Sequence, residues 1–299
     1  MVWLPEGLRF DLAHAPPGLA GDMALRMFCT PTYSERRQPH HRQLAERARF
    51  HLRCARWARF NTPVGEVQAY VFEPDMPAVG TSLIVHGWTS EASFMTVLAE
   101  AVRRTGYRVV LFDLPGHGLS QHRSTNLMDC ARATACVANV FAPIDHVIAH
   151  SFGTMTALVA TEGPPRMPCT LNAARIVLIA GPNRLSEVTR HSGDHYGLDT
   201  AGQRALDARL QRIGQRPMPD FTTVNLLRAA NRPALVVHSR DDAEVPFRCA
   251  EEIVSAVGTA ELLPFDGLGH GAILLAPHVM RAITTWLAAN HSLTNTMAT

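Results

Sequence analysis

Between Thr81 and Phe265 the chain alternates short apolar runs with longer stretches of helical periodicity, and few folds accept that rhythm. The runs are "SLIVHG", "YRVVLFD", "DHVIAH", "ARIVLIAG", "PALVVHS" and "AELLPF". They are short and largely continuous in apolar character, as expected of strands buried on both faces of a parallel sheet. The intervening segments repeat apolar residues three and four apart, as in "EASFMTVLAEAVRRTG", closed by Gly106, and "PFRCAEEIVSAVG". "STNLMDCARATACVANVF" predicts a helix capped by Ser124 or Thr125, and "GAILLAPHVMRAITTWLAANH" a single closing helix. Such alternation predicts an α/β protein with a doubly wound, mostly parallel sheet and right-handed crossovers.

Two regions depart from the rhythm. Before Thr81, "GEVQAYVFEP" alternates apolar and polar residues like a half-buried antiparallel strand, and an edge strand is expected around Phe50 to Phe60. The residues before it read as an extension with helices at Gly18–Cys29 and Arg37–Arg49, punctuated by prolines. The other region, Gly181 to Pro233, has no strand-like run. Its amphipathic segments predict a small helical insertion rather than a long structureless loop. The expected organisation is an N-terminal helical extension (1–50), a first part of the core (51–182), a helical lid (183–232) and a second part of the core (233–292). A loose tail follows from Leu293.

Composition narrows the function. With 299 residues, 46% of them apolar, the chain can bury a large core. Charged residues make up 18%, the net charge is +2, and no block of like charge offers a footprint for nucleic acid. The arginines between Arg47 and Arg59 alternate with Phe50, Leu52, Cys54 and Trp57, which reads as the solvated face of an edge element. The six cysteines form no C-x-x-C pair and read as reduced core residues. "MVWLPEGLRFDL" lacks the pattern of a signal peptide, and no stretch reaches membrane-spanning length, so a soluble cytoplasmic protein is expected. The fifteen histidines include no H-E-x-x-H or comparable cluster, so no metal site is expected.

Chemistry-bearing residues gather where the predicted strands end. In "VIAHSFGTMTALVA" a strand meets a helix at Ser151, either as that helix's N-cap or as a nucleophile on a sharp turn. "VHGWTS" puts a glycine after a strand, so the Trp88 amide can turn into a cleft. In "FDLPGHGLS" Asp113 and His117 read as residues that tie down neighbouring loops. "VVHSRDDAEVP" places Asp241 and Asp242 before a helix, where acids often serve as caps. "FDGLGHGAILLAP" places His270 in a glycine-rich loop, where a histidine is more often a surface residue.

Taken singly these stretches are weak. Taken in order, serine, then aspartate, then histidine after successive strands, they resemble the α/β-hydrolase-fold serine hydrolases over roughly Gly65 to His291. "HGW", "DLPGHGLS", "AHSFG", "RDDAEVP" and "GLGH" follow that family's order. The resemblance implies that Ser151 is the nucleophile, His270 the general base and Asp242 the acid that orients it. The Trp88 and Phe152 amides would form the oxyanion hole, and both residues would contact the substrate. It also implies a small, largely apolar acyl substrate, ester cleavage through an acyl-enzyme, and no cofactor. Thioester hydrolysis and a catalytically silent ligand-binding protein are the alternatives. Ala149 and Ser239 stand where the family usually has glycine. Asp241 is expected to face solvent or cap the helix near Pro246. Phe94, Met95 and Met155 lie near the expected mouth but have the spacing of core residues, and Leu206, Leu210 and Ile213 are expected to face that mouth.

Overall fold

The computed structural model describes residues 12–31, 46–163, 167 and 169–289. The expected helix at Arg37–Arg49 falls largely outside these residues, and the tail from Leu293 wholly so. Eight strands form one sheet: β1 Arg56–Thr62, β2 Gly65–Phe72, β3 Gly80–Val85, β4 Tyr107–Phe112, β5 Ile144–His150, β6 Ala173–Ile179, β7 Ala234–Ser239 and β8 Ala260–Phe265. Their order is β1-β2-β4-β3-β5-β6-β7-β8. β2 is antiparallel to β1 and to β4, and the other neighbours are parallel. The doubly wound, mostly parallel sheet expected from the sequence is the one observed.

The inner strands are continuous in apolar character because both faces are covered. Leu83, Val85, Val147 and Ala149 join the core on one face, while Ile84 and Ile148 join the core on the other. Full burial of each large aliphatic side chain contributes roughly 1.5–3 kcal/mol. The helices are α1 Pro17–Phe28, α2 Thr96–Arg103, α3 Leu127–Val140, α4 Phe152–Glu162, α5 Leu185–His195, α6 Thr200–Gly214, α7 Thr223–Ala230, α8 Arg248–Ala256 and α9 Pro277–Ala289. Among the described residues no helix is long and apolar enough to cross a membrane.

Three local expectations are corrected. The edge strand starts at Arg56, because residues 46–51 are helical and Leu52–Cys54 form a 3-10 turn. Helix α3 is capped by neither Ser124 nor Thr125: the Asn126 Oδ1 accepts the Asp129 N–H at 3.0 Å, and its Nδ2 donates to the Asp129 carboxylate at 2.7 Å. The single closing helix is divided into one turn, Gly269–Ala272, and α9. Proline lacks an N–H and restricts the residue before it, so Pro277 suits the first position of a helix and not its interior.

Helices α5, α6 and α7 form the insertion between β6 and β7, and α1 packs along α6. A Cβ on Gly21 would lie 2.7 Å from the Ala205 Cβ, so the two backbones approach closely. Arg209 closes this contact, reaching Asp22 at 2.5 Å and the Gly18 carbonyl at 2.7 Å. Helix α1 therefore lies on the insertion. The order of the sheet reverses between β3 and β5, and the loops leaving these adjacent strands meet at their carboxyl ends, where open α/β sheets bind ligands.

Candidate active site

Ser151 is the residue that joins β5 to α4, with φ 53° and ψ −124°. A non-glycine residue there stores strain of about 1–3 kcal/mol and persists only where its surroundings hold it. Its N–H is held by the Ile179 carbonyl at 2.9 Å. Gly153 lets the helix begin so close to the sheet, since a Cβ there would lie 2.5 Å from the His86 carbonyl oxygen and 2.7 Å from that of Val85. Ser151 occupies the N-cap position, but its side chain makes no capping hydrogen bond. The hydroxyl goes instead to His270.

His270 Nε2 lies 2.9 Å from the Ser151 Oγ, and its Nδ1 lies 2.8 Å from the Asp242 Oδ2. An ionised carboxylate only accepts, so Nδ1 carries the proton and Nε2 is left to accept the serine hydroxyl. The other oxygen of Asp242 accepts the N–H groups of Glu244 at 2.8 Å and Val245 at 2.9 Å. Burial pushes the Asp242 carboxyl up, but hydrogen bonds from His238 and His270 outweigh it and hold the group well below the usual carboxylate range. Glu244 brings a second carboxylate 3.9 Å from His270 Nε2.

Asp241 faces solvent as expected, and its exposed carboxylate accepts the N–H groups of Gly267 at 2.8 Å and Gly269 at 3.0 Å. It also accepts the Ser239 hydroxyl at 2.5 Å, and that hydroxyl accepts the Leu268 N–H at 3.3 Å. The serine in place of glycine after β7 thus joins Asp241 in fixing the loop that carries His270.

The loop after β3 passes directly over the serine, since a Cβ on Gly87 would lie 3.0 Å from the Ser151 Cβ. His86 sets that turn: its Nε2 accepts the Leu114 N–H at 3.0 Å, so Nδ1 donates to the Gly87 carbonyl at 2.8 Å. Among the described residues the main-chain N–H groups of Trp88 and Phe152 have no hydrogen-bond partner, and neither has the buried Trp88 indole N–H. The Trp88 and Phe152 rings meet edge to face at 5.0 Å. Asp113 ties loops as expected, accepting Tyr70 Oη–H and the N–H groups of Ala92 and Leu119.

His150 carried no separate signal in the sequence. It is buried beside Ser151, its ring 4.7 Å from that of His270, and its Nε2 donates to the His270 carbonyl at 3.0 Å. Burial, with His270 adjacent, lowers its pKa to about 3, and burial lowers that of His86 to about 4. Both are therefore neutral spacers that position the loops around the serine.

A cavity of about 890 Å³, its open mouth included, begins at Ser151. Apart from Thr125, Asn126 and Ser151, every side chain lining it is apolar. Trp88, Phe152, Leu210 and Ile213 line it as expected, and Met155, read as a core residue, lines it too. Met95 and Leu206 are buried in the core instead. Phe28 also lines the cavity, from the N-terminal helix α1. Among the described residues no three histidine, cysteine or acidic side chains are grouped to hold a metal ion.

A family model, described as the alpha/beta hydrolase family, matches residues 83–283. Among solved structures the chain is similar to a putative lipase from Acinetobacter baumannii AYE, at 15% identity and a TM-score of 0.63, covering 84% of this chain and 96% of that one. It is also similar to a thermophilic esterase from Thermogutta terrifontis, at 18% identity and a TM-score of 0.58, covering 79% and 100%. A third similarity is to a thioesterase domain from the curacin biosynthetic pathway, at 13% identity and a TM-score of 0.55, covering 78% and 99%. Among curated protein sequences none matches the chain.

Proposed function

The chain belongs to the alpha/beta hydrolase family, and from that premise we propose that it is a serine hydrolase cleaving carboxylic esters of an apolar acyl group. The observation that carries this reading is the hydrogen-bonded sequence Ser151–His270–Asp242 at the mouth of an apolar cavity. In this reading His270 Nε2 takes the hydroxyl proton as the Ser151 Oγ attacks the ester carbonyl. The carbonyl oxygen becomes an oxyanion beside the Trp88 and Phe152 amides, whose individual removal would cost on the order of 10²- to 10³-fold in rate. His270 then returns the proton to the departing alcohol, leaving an acyl-enzyme. Water repeats the two steps, and Asp242 stabilises the imidazolium each time. The helices of residues 183–232 serve as the lid, with α1 seated on them.

The test is a fluorophosphonate probe together with matched oxygen esters and thioesters of one acyl chain. Stoichiometric labelling mapped to Ser151, with turnover of the oxygen ester, is the expected result. Preference for the thioester would make this a thioesterase. Labelling elsewhere, or neither labelling nor turnover, would leave a ligand-binding protein.

Acid should silence the enzyme, with kcat/KM falling as His270 takes a proton, because an imidazolium cannot accept the serine proton. Its neighbours narrow the assignment: His150 and His86 are held near 3 and 4, and Asp242 well below the carboxylate range. None of these three changes charge between about pH 5 and 8. Asp113 is different, since burial pushes its carboxyl up to about 6. The acid limb should therefore survive in Asp113→Asn. A profile flat over this range with chemistry rate-limiting, or a limb lost with Asp113→Asn, would remove His270 from the role.

A further inference from the structure

The cavity has a floor as well as a mouth, and the floor is built from residues distant from the reacting serine. Phe221 and Gly214 line the cavity together. A Cβ on Gly214 would lie 2.5 Å from the Phe221 Cζ, so the ring is seated against the helix where only glycine leaves room. The Arg216 guanidinium covers the same ring at 4.1 Å and donates to the Glu162 carboxylate at 2.8 Å. Glu162 is the last residue of α4, the helix that starts beside Ser151. That helix of 11 residues rises about 16 Å, and Arg216 ties Phe221 to its far end.

Beyond the Trp88 indole N–H, the walls between have little to offer a polar chain. The Asn126 side chain is committed to capping α3, and the Thr125 hydroxyl lies 3.3 Å from the Cys130 sulfur. A carboxylate or hydroxyl on the acyl chain would be buried there without a partner, at substantial cost.

Resting on the ester-hydrolase reading, the geometry points to an unbranched aliphatic acyl group longer than acetyl as the substrate class, with Phe221 as the wall against its terminal methyl. Phe221 is then a specificity-determining residue, and Gly214 sets how far its ring withdraws.

The experiment is kcat/KM for a series of 4-nitrophenyl esters from acetate to myristate, on the full chain and two variants. The unmodified protein should peak at a chain longer than acetate and fall off beyond it, where the chain meets Phe221. Phe221→Ala should raise the dodecanoate-to-octanoate ratio about tenfold, the worth of roughly two buried methylenes. Gly214→Ala forces the ring into the cavity and should lower the octanoate-to-butyrate ratio by a similar factor. Phe221→Leu, which keeps the core filled, should show the first shift in smaller measure if the alanine variant folds poorly. Ester turnover with an acetate optimum, or variants that leave the ratios unchanged or move them the same way, overturns this inference alone. Neither turnover nor probe labelling overturns the hydrolase reading and the inference with it.

Discussion

Replacing Ser151 by alanine is expected to lower kcat by about 10⁶-fold, the size of loss seen when the nucleophile of a serine protease of another fold is removed. The loss is large because His270 and Asp242 act only through the serine oxygen. Without it, the amides of Trp88 and Phe152 can still polarise a carbonyl, which leaves a residual on the order of 10³- to 10⁴-fold over water. Stability should change little. Alanine keeps the same strained backbone and loses only the hydroxyl that meets His270 at 2.9 Å. Steady-state kinetics with a thermal melt check both halves. A well-folded Ser151→Ala protein that retains more than about one per cent of its activity would place the nucleophile elsewhere.

Asp242→Asn is expected to be nearly as severe, about 10⁴-fold in kcat, and for a different reason. The amide has one accepting oxygen. If it satisfies the Glu244 and Val245 N–H groups, its NH₂ group faces His270 Nδ1. His270 must then accept at Nδ1 and carry its proton on Nε2, where it cannot serve as a base. Asp241→Asn tests the adjacent acid. There the amide can replace the oxygen facing Ser239 and Gly267 or the one facing Gly269, but not both. Gly269 immediately precedes His270, so a small displacement of the histidine follows, worth about 10²-fold or less. The tautomer is untouched, and the pH profile should keep its shape. Measured kcat/KM and melting temperature for both variants decide the matter. Asp241→Asn as the more damaging change would reverse the two roles.

The sequence made some of this legible because the signals were local. Strands such as "DHVIAH" lie within a residue of their expected places, since burial on both faces leaves a continuous apolar run. The order of Ser151, Asp242 and His270 was readable because each follows a strand end. Asp241 was rightly read as a surface acid, but its tie to the His270 loop was beyond reach, because its partners there, Gly267 and Gly269, offer only backbone N–H groups, which leave no trace in side-chain chemistry. Met155 was read as a core residue and is one, yet it also lines the cavity, because one apolar helix face can meet a sheet and a cavity at once. Phe28 was beyond reach for another reason: nothing in helix periodicity says which distant element a helix will meet.

The packing of α1 on α6 has a consequence for how the molecule is made. Asp22 and Arg209, which close that contact, are 187 residues apart. At 5–20 residues per second on the ribosome, α1 waits roughly ten to forty seconds before its partner is synthesised. During that interval the small-residue face around Gly21 and Ala24 has nothing to pack against. The nascent chain must hold α1 in reserve over that interval, and the wall that Phe28 supplies waits with it.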